Sequence, residues 1–112
     1  MINISKNEFE KMVIQAIGSL PKEMRDKTEN VEIVLEDEEE PDKNLLGLYQ
    51  GVPRTKRGVY YSWVLPDKIT IFKKTIERYS RDKQDLKKLI RHVVRHEIAH
   101  HFGYSDKDLL LL

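Results

Sequence analysis

Leu86-Lys87-Lys88-Leu89-Ile90-Arg91-His92-Val93-Val94-Arg95-His96-Glu97-Ile98-Ala99-His100-His101-Phe102-Gly103 is the stretch on which the fold turns. Leu86, Leu89, Ile90 and Val93 recur at intervals of three and four, the spacing of one helical face. The pattern predicts a long helix from about Arg81 to Phe102. Gly103 stands where that helix stops, because glycine enters a left-handed turn without a Cβ clash. Lys87, Lys88, Arg91 and Arg95 recur on the same helix and read as its solvated face.

Within this helix, His96 and His100 are four residues apart. Such residues share a face and are separated by about 6 Å of rise. Two imidazoles at that separation converge on one ion, each at about 2.0–2.1 Å if the ion is zinc. Glu97 points about 100° around the helix from His96. It clears the ligand positions and stays near a metal-bound water. Projected in the same way, Glu97 and His100 fall close to Ile90 and Val93, on the core side. A carboxylate and an imidazole buried there are costly unless they are paired or bind a metal. After Gly103 the chain can return, and Asp106 then offers a hard oxygen ligand. Two histidines and one carboxylate leave a fourth position for water, the pattern of a catalytic zinc site. The same donors also suit iron or manganese. A bare H-E-x-x-H arises by chance in a chain of this length at roughly a few per thousand. The glycine and the acid at fixed offsets lower that by about two orders of magnitude.

Before this helix, Ser5 and Glu8 have capping-box spacing. Phe9, Met12, Val13, Ala16, Ile17 and Leu20 follow at helical intervals, predicting a helix from about Lys6 to Ser19 that ends near Gly18 and Pro21. A short helical turn is expected before Asn30. Val31, Ile33 and Leu35 alternate with Glu32, Val34 and Glu36, predicting a strand ended by the acidic run Glu36 to Glu40 and Pro41. Leu45 to Tyr49 read as a second strand despite Gly47. Gly51, Pro53 and Gly58 bracket a loop. Val59 to Leu65 and Ile69 to Lys74 read as further strands, separated by a break at Pro66-Asp67.

The chain has 112 residues, enough for one domain spanning 1–112. A domain of this size buries roughly 60–70% of the surface its unfolded chain exposes, leaving no room for a separate substrate domain. With 39% hydrophobic and 35% charged residues, the composition is globular and charge-rich. A net charge of +1 predicts neither a nucleic-acid nor a membrane partner. The absence of cysteine excludes disulfides and thiolate metal sites, so metal chemistry falls to histidine and carboxylates. Met1 to Lys6 lacks a basic start followed by an apolar stretch, so no signal peptide is expected, and no segment approaches the roughly 20 apolar residues that span a bilayer. A cytoplasmic location is the expectation.

At His96 to Asp106 the sequence resembles the zincin metallopeptidases of the H-E-x-x-H-x-x-G-x-x-[H/D] type. It is most similar to the small bacterial zincin-like proteins called minimal zincins. Leu45-Leu46-Gly47-Leu48-Tyr49-Gln50-Gly51-Val52-Pro53 and Leu65-Pro66-Asp67-Lys68-Ile69-Thr70-Ile71-Phe72 also look like segments of that family, so the resemblance runs from about residue 31 to 109. It implies an α+β fold: an N-terminal helix, a small mixed sheet of three to four strands, and a long C-terminal active-site helix packed against it. It implies one zinc ion held by His96, His100 and Asp106, with Glu97 as the base that activates a zinc-bound water to cleave peptide bonds. The substrate is then a peptide or protein, held beside the helix by an edge strand drawn from some stretch within Val59 to Phe72. Many such enzymes add a second donor to the oxyanion, and Tyr104 is the nearest candidate, with Tyr49 and Tyr60 as others. His92 and His101 are either supporting groups or surface histidines. Asp108 is the runner-up for the third ligand.

The sequence departs from the metzincins, whose Met-containing turn follows the third ligand, because the last methionine here is Met24. No second subdomain is expected to wall the cleft after Asp106. Two other readings fit the same residues. One is a metal-dependent endoribonuclease-like hydrolase, whose H-x-x-x-H-x-x-x-x-x-H spacing His96, His100 and Asp106 also satisfy. In that family the position after the first histidine is typically glycine, so Glu97 favours a peptidase. The other is a non-catalytic, zinc-stabilised module that binds a partner strand at the sheet edge.

Overall fold

The computed structural model describes residues 2–26, 31–38, 44–51 and 67–101. Their order is α1 (Lys6–Gly18), α2 (Lys22–Asp26), β1 (Val31–Glu36), β2 (Gly47–Gln50), β3 (Asp67–Phe72), α3 (Lys73–Arg78) and α4 (Lys83–His101). The arrangement is α+β, with a small mixed sheet and a long helix after it, as the resemblance implies. No helix among the described residues is long and apolar enough to cross a membrane.

The caps explain the helix boundaries. The Ser5 hydroxyl accepts the Glu8 backbone N–H at 3.1 Å, satisfying a donor that the first turn of α1 cannot use internally. At α4 the same task falls to Asp82, whose carboxylate accepts the Asp85 N–H at 2.9 Å. That cap starts the helix at Lys83, two residues inside the expected start at Arg81.

In the sheet, β3 lies between β1 and β2. It runs parallel to β1, with Ile33 opposite Ile69, and antiparallel to β2, with Tyr49 opposite Ile69. The expectation of an edge strand drawn from Val59 to Phe72 is therefore corrected for its C-terminal part, since residues 67–72 form the central strand. Residues 59–65 lie outside the described residues. The fourth predicted strand, Ile69 to Lys74, is shifted two residues toward the N-terminus and starts at Asp67. It ends at Phe72, and Lys73 opens α3 rather than continuing the strand. The reason is a tertiary bond: Glu77 of α3 is buried and accepts the Ile4 backbone N–H at 2.8 Å, across 73 positions of sequence. A six-residue helix is too short to announce itself by periodicity.

The core forms where α1, α4 and the sheet meet. Phe9, Met12, Val13 and Ala16 of α1 join Ile69 and Ile71 of β3 and Leu86, Ile90, Val93, Val94 and Ile98 of α4. Ile69, Ile71, Leu86 and Ile90 are almost wholly withdrawn from water. Each such side chain contributes roughly 1.5–3 kcal/mol relative to exposure. This packing fixes α4 along the sheet and decides which of its side chains face inward.

Candidate metal centre

The last turns of α4 bring the candidate ligands together. Periodicity continues past Val93, so Glu97 faces the core side and is only 7% exposed. His96 and His100 sit on either side of it and are half-buried. Their ring centroids are 4.9 Å apart and the rings meet edge to face at 65°. His100 Nδ1 lies 3.3 Å from Glu97 Oε1. One ligand atom from each of His96, Glu97 and His100 falls within 4.8 Å of the others. Two atoms bonded to one zinc at about 2.1 Å are separated by at most about 4.2 Å. The His96 and His100 nitrogens are therefore within small side-chain rotations of a common ion, with the Glu97 carboxylate beside it. Two imidazoles four positions apart on one helix are nitrogen donors that zinc accepts, so the described residues fit the metal.

The sheet is shaped to approach this turn. Gly47, at the start of β2, has no room for a side chain: a Cβ there would stand 2.8 Å from Val93 Cγ1 and 3.1 Å from Glu97 Cγ. The bare backbone lets β2 lie directly against Glu97. Side chains two apart share a sheet face, so Tyr49 also points toward α4. Its ring meets the His100 imidazole edge to face, with centroids 6.2 Å apart at 67°. The Tyr49 hydroxyl donates a hydrogen bond to Asp67 Oδ2. Asp67 has no exposed surface.

Of the residues singled out from sequence, the structure brings His96, Glu97 and His100 together. Asp106, Tyr104, Tyr60 and Asp108 lie outside the described residues, as does the side chain of His101. His92 is exposed, with its ring 6.1 Å from that of His96 and tilted by 40°. Tyr49 is beside the site, but its hydroxyl is engaged by Asp67. Asp67 itself escapes sequence reasoning because Pro66-Asp67 reads as a chain break. A buried carboxylate opening a strand has no periodic signature, and its partner is 18 positions away.

Comparison with known proteins bears on the fold and the family. A solved structure, a conserved hypothetical protein from Thermo thermophilus, shares the fold with a TM-score of 0.61 at 17% identity, over 88% of this chain and 94% of the other. No curated protein matches the chain in sequence. The family described as "Zincin-like metallopeptidase" matches residues 27–112, a span that contains the whole sheet and α4. With that match over most of its length, and with paired histidines around a buried glutamate on its last helix, the chain belongs to the zincin-like metallopeptidase family.

Proposed function

We infer that the protein is a zinc-dependent metallopeptidase in which His96, His100 and Asp106 hold the metal and Glu97 is the catalytic base. The observation that carries this reading is the placement of Glu97. A carboxylate 7% exposed stands beside two imidazoles, where the strand next to it has been stripped to glycine. Burying a charge in this way is unfavourable unless something nearby balances it. Membership of the family supplies the reason for the arrangement.

When bound, the zinc supplies Lewis acidity, polarising a peptide carbonyl and making water a nucleophile near neutral pH. The rest falls to the chain. Glu97 takes a proton from the attacking water as the new carbon–oxygen bond forms. It then returns that proton to the amine as the carbon–nitrogen bond breaks. His96 and His100 keep the reacting groups within reach of Glu97, and their fixed separation follows from the helix that carries both. The substrate class is peptide or protein.

The test is digestion of a peptide library by the zinc-loaded protein and by its Glu97→Gln variant. Cleavage by the first and not by the second is expected, with zinc held by both. Equal cleavage by the two removes Glu97 from the role of base. A second reading, hydrolysis of RNA, draws on a separate observation. Lys87, Lys88, Arg91 and Arg95 are all exposed along the outer face of α4. It requires RNA binding whose log K falls steeply with log salt.

A further inference from the structure

Tyr49 and Asp67 stand next to the metal centre without belonging to it, and three independent features tie them together. The first is the diagonal across the antiparallel pair. Tyr49 lies opposite Ile69, so Asp67, two residues earlier on β3, is within reach of its long side chain on the same face. The Tyr49 hydroxyl takes up that reach by donating to Asp67 Oδ2. The second is the cradle around the acceptor. Asp67 is fully buried, and Gly51 passes over it with φ +148°, where a Cβ would stand 2.6 Å from Asp67 Cγ. Only glycine accommodates both that backbone conformation and that approach. The third is the other end of the tyrosine, whose ring meets the His100 imidazole edge to face.

Burying a carboxylate at a strand terminus is expensive, and the ladder of β3 does not require one there. The geometry gives it a purpose. A tyrosine anchored at its hydroxyl has a fixed ring, and a fixed ring limits the rotation of the imidazole packed against it. We propose that Tyr49, anchored on Asp67, is a positioning residue that sets the orientation of the His100 imidazole for metal binding. This rests on the assignment of His100 as a zinc ligand. Groups that orient a metal-binding histidine typically matter by about 10–100-fold in affinity.

The test compares zinc affinity, by competition with a chromophoric chelator, across the wild-type protein, Tyr49→Phe, Asp67→Asn and Ser80→Ala. The Ser80 hydroxyl is buried and donates to the Ile76 carbonyl at 2.8 Å, so its loss reports the effect of deleting a buried hydrogen bond elsewhere. Tyr49→Phe keeps the aromatic ring and deletes only the anchor. It is expected to weaken zinc binding by about 10–100-fold. Asp67→Asn keeps an acceptor oxygen and is expected to shift affinity less, in the same direction. Ser80→Ala is expected to bind zinc as the wild type does. The cobalt-substituted proteins give a second readout, because the visible absorption of cobalt follows the orientation of its ligands. Tyr49→Phe is expected to change that spectrum and Ser80→Ala to leave it alone. Wild-type affinity and an unchanged cobalt spectrum in Tyr49→Phe overturn the proposal. An equal loss in Tyr49→Phe and Ser80→Ala overturns it too, by reducing Tyr49 to general stability. A wild-type protein that binds no zinc removes the metal reading first, and that result is visible before any variant is compared.

Discussion

Among the described residues two glutamates are withdrawn from water, and they are held in different ways. Glu77, in the short helix α3, is 4% exposed, and its Oε2 accepts the Ile4 N–H at 2.8 Å and the Lys73 ammonium at 3.1 Å. A backbone amide and a lysine one turn away are permanent partners, present as soon as the chain folds. They tie the N-terminal segment to α3. Glu97, in α4, is 7% exposed and shares its surroundings with His96 and His100. Two imidazoles around a carboxylate are metal-binding groups, which the surroundings of Glu77 lack, and this difference is what the proposed function uses. A buried carboxylate alone therefore marks no active site. The chemistry of the groups around it separates a structural role from a catalytic one.

Substitutions at these two positions pull the roles apart. Glu97→Gln is expected to lower peptide hydrolysis by about 10²–10⁴-fold, the range for loss of a general base. Zinc content and unfolding midpoint should stay near those of the wild type. Glu77→Ala reverses the pattern. Removing one partner of a buried ion pair costs about 3–5 kcal/mol, read in urea unfolding. Zinc affinity of the fraction that remains folded should be unchanged. If Glu97→Gln unfolds the protein and Glu77→Ala does not, the two roles have been exchanged.

A smaller effect reports how tightly Glu97 is enclosed. Gly47→Ala forces a methyl against Val93 Cγ1 and Glu97 Cγ, and overpacking of this kind costs about 1–3 kcal/mol. Because the displaced atoms include Glu97, hydrolysis should fall by more than the loss of folded protein explains, measured as activity per folded molecule. Asp85 supplies the lower limit, as a half-buried carboxylate in the first turn of α4. A hydrogen bond from the Arg81 guanidinium at 2.7 Å holds its carboxyl below the usual range. A carboxyl lowered in the folded state stabilises above its unfolded value and loses that contribution as pH falls through the folded value. Thermal midpoints of the wild type and Asp85→Asn should thus differ slightly above about pH 4 and converge in more acid solution.

What the sequence makes legible follows from the range of the interactions involved. α1 is readable because its cap and its stripe are local: Ser5 to Glu8, then Phe9 to Ala16. α4 is readable for the same reason, and the metal-site spacing rides on its periodicity. The boundary between β3 and α3 is not readable, because Lys73 and Lys74 extend the strand pattern while the bond from Ile4 to Glu77 decides for helix. Sheet order is equally hidden, since the pairing of Val31 with Asp67 joins segments far apart in the chain. In sequence Asp67 reads as part of a break, and Tyr49 reads as a candidate oxyanion donor. Only the fold shows the hydroxyl of one held by the carboxylate of the other.

Whether one zinc ion is held through His96 and His100 decides everything that follows for this protein. Elemental analysis of untagged protein after dialysis against zinc-free buffer answers it, run beside His100→Ala. About one zinc per chain is expected in the wild type and close to none in the variant, as for a site with three protein ligands. A wild type without metal, or a variant that retains it, overturns the assignment.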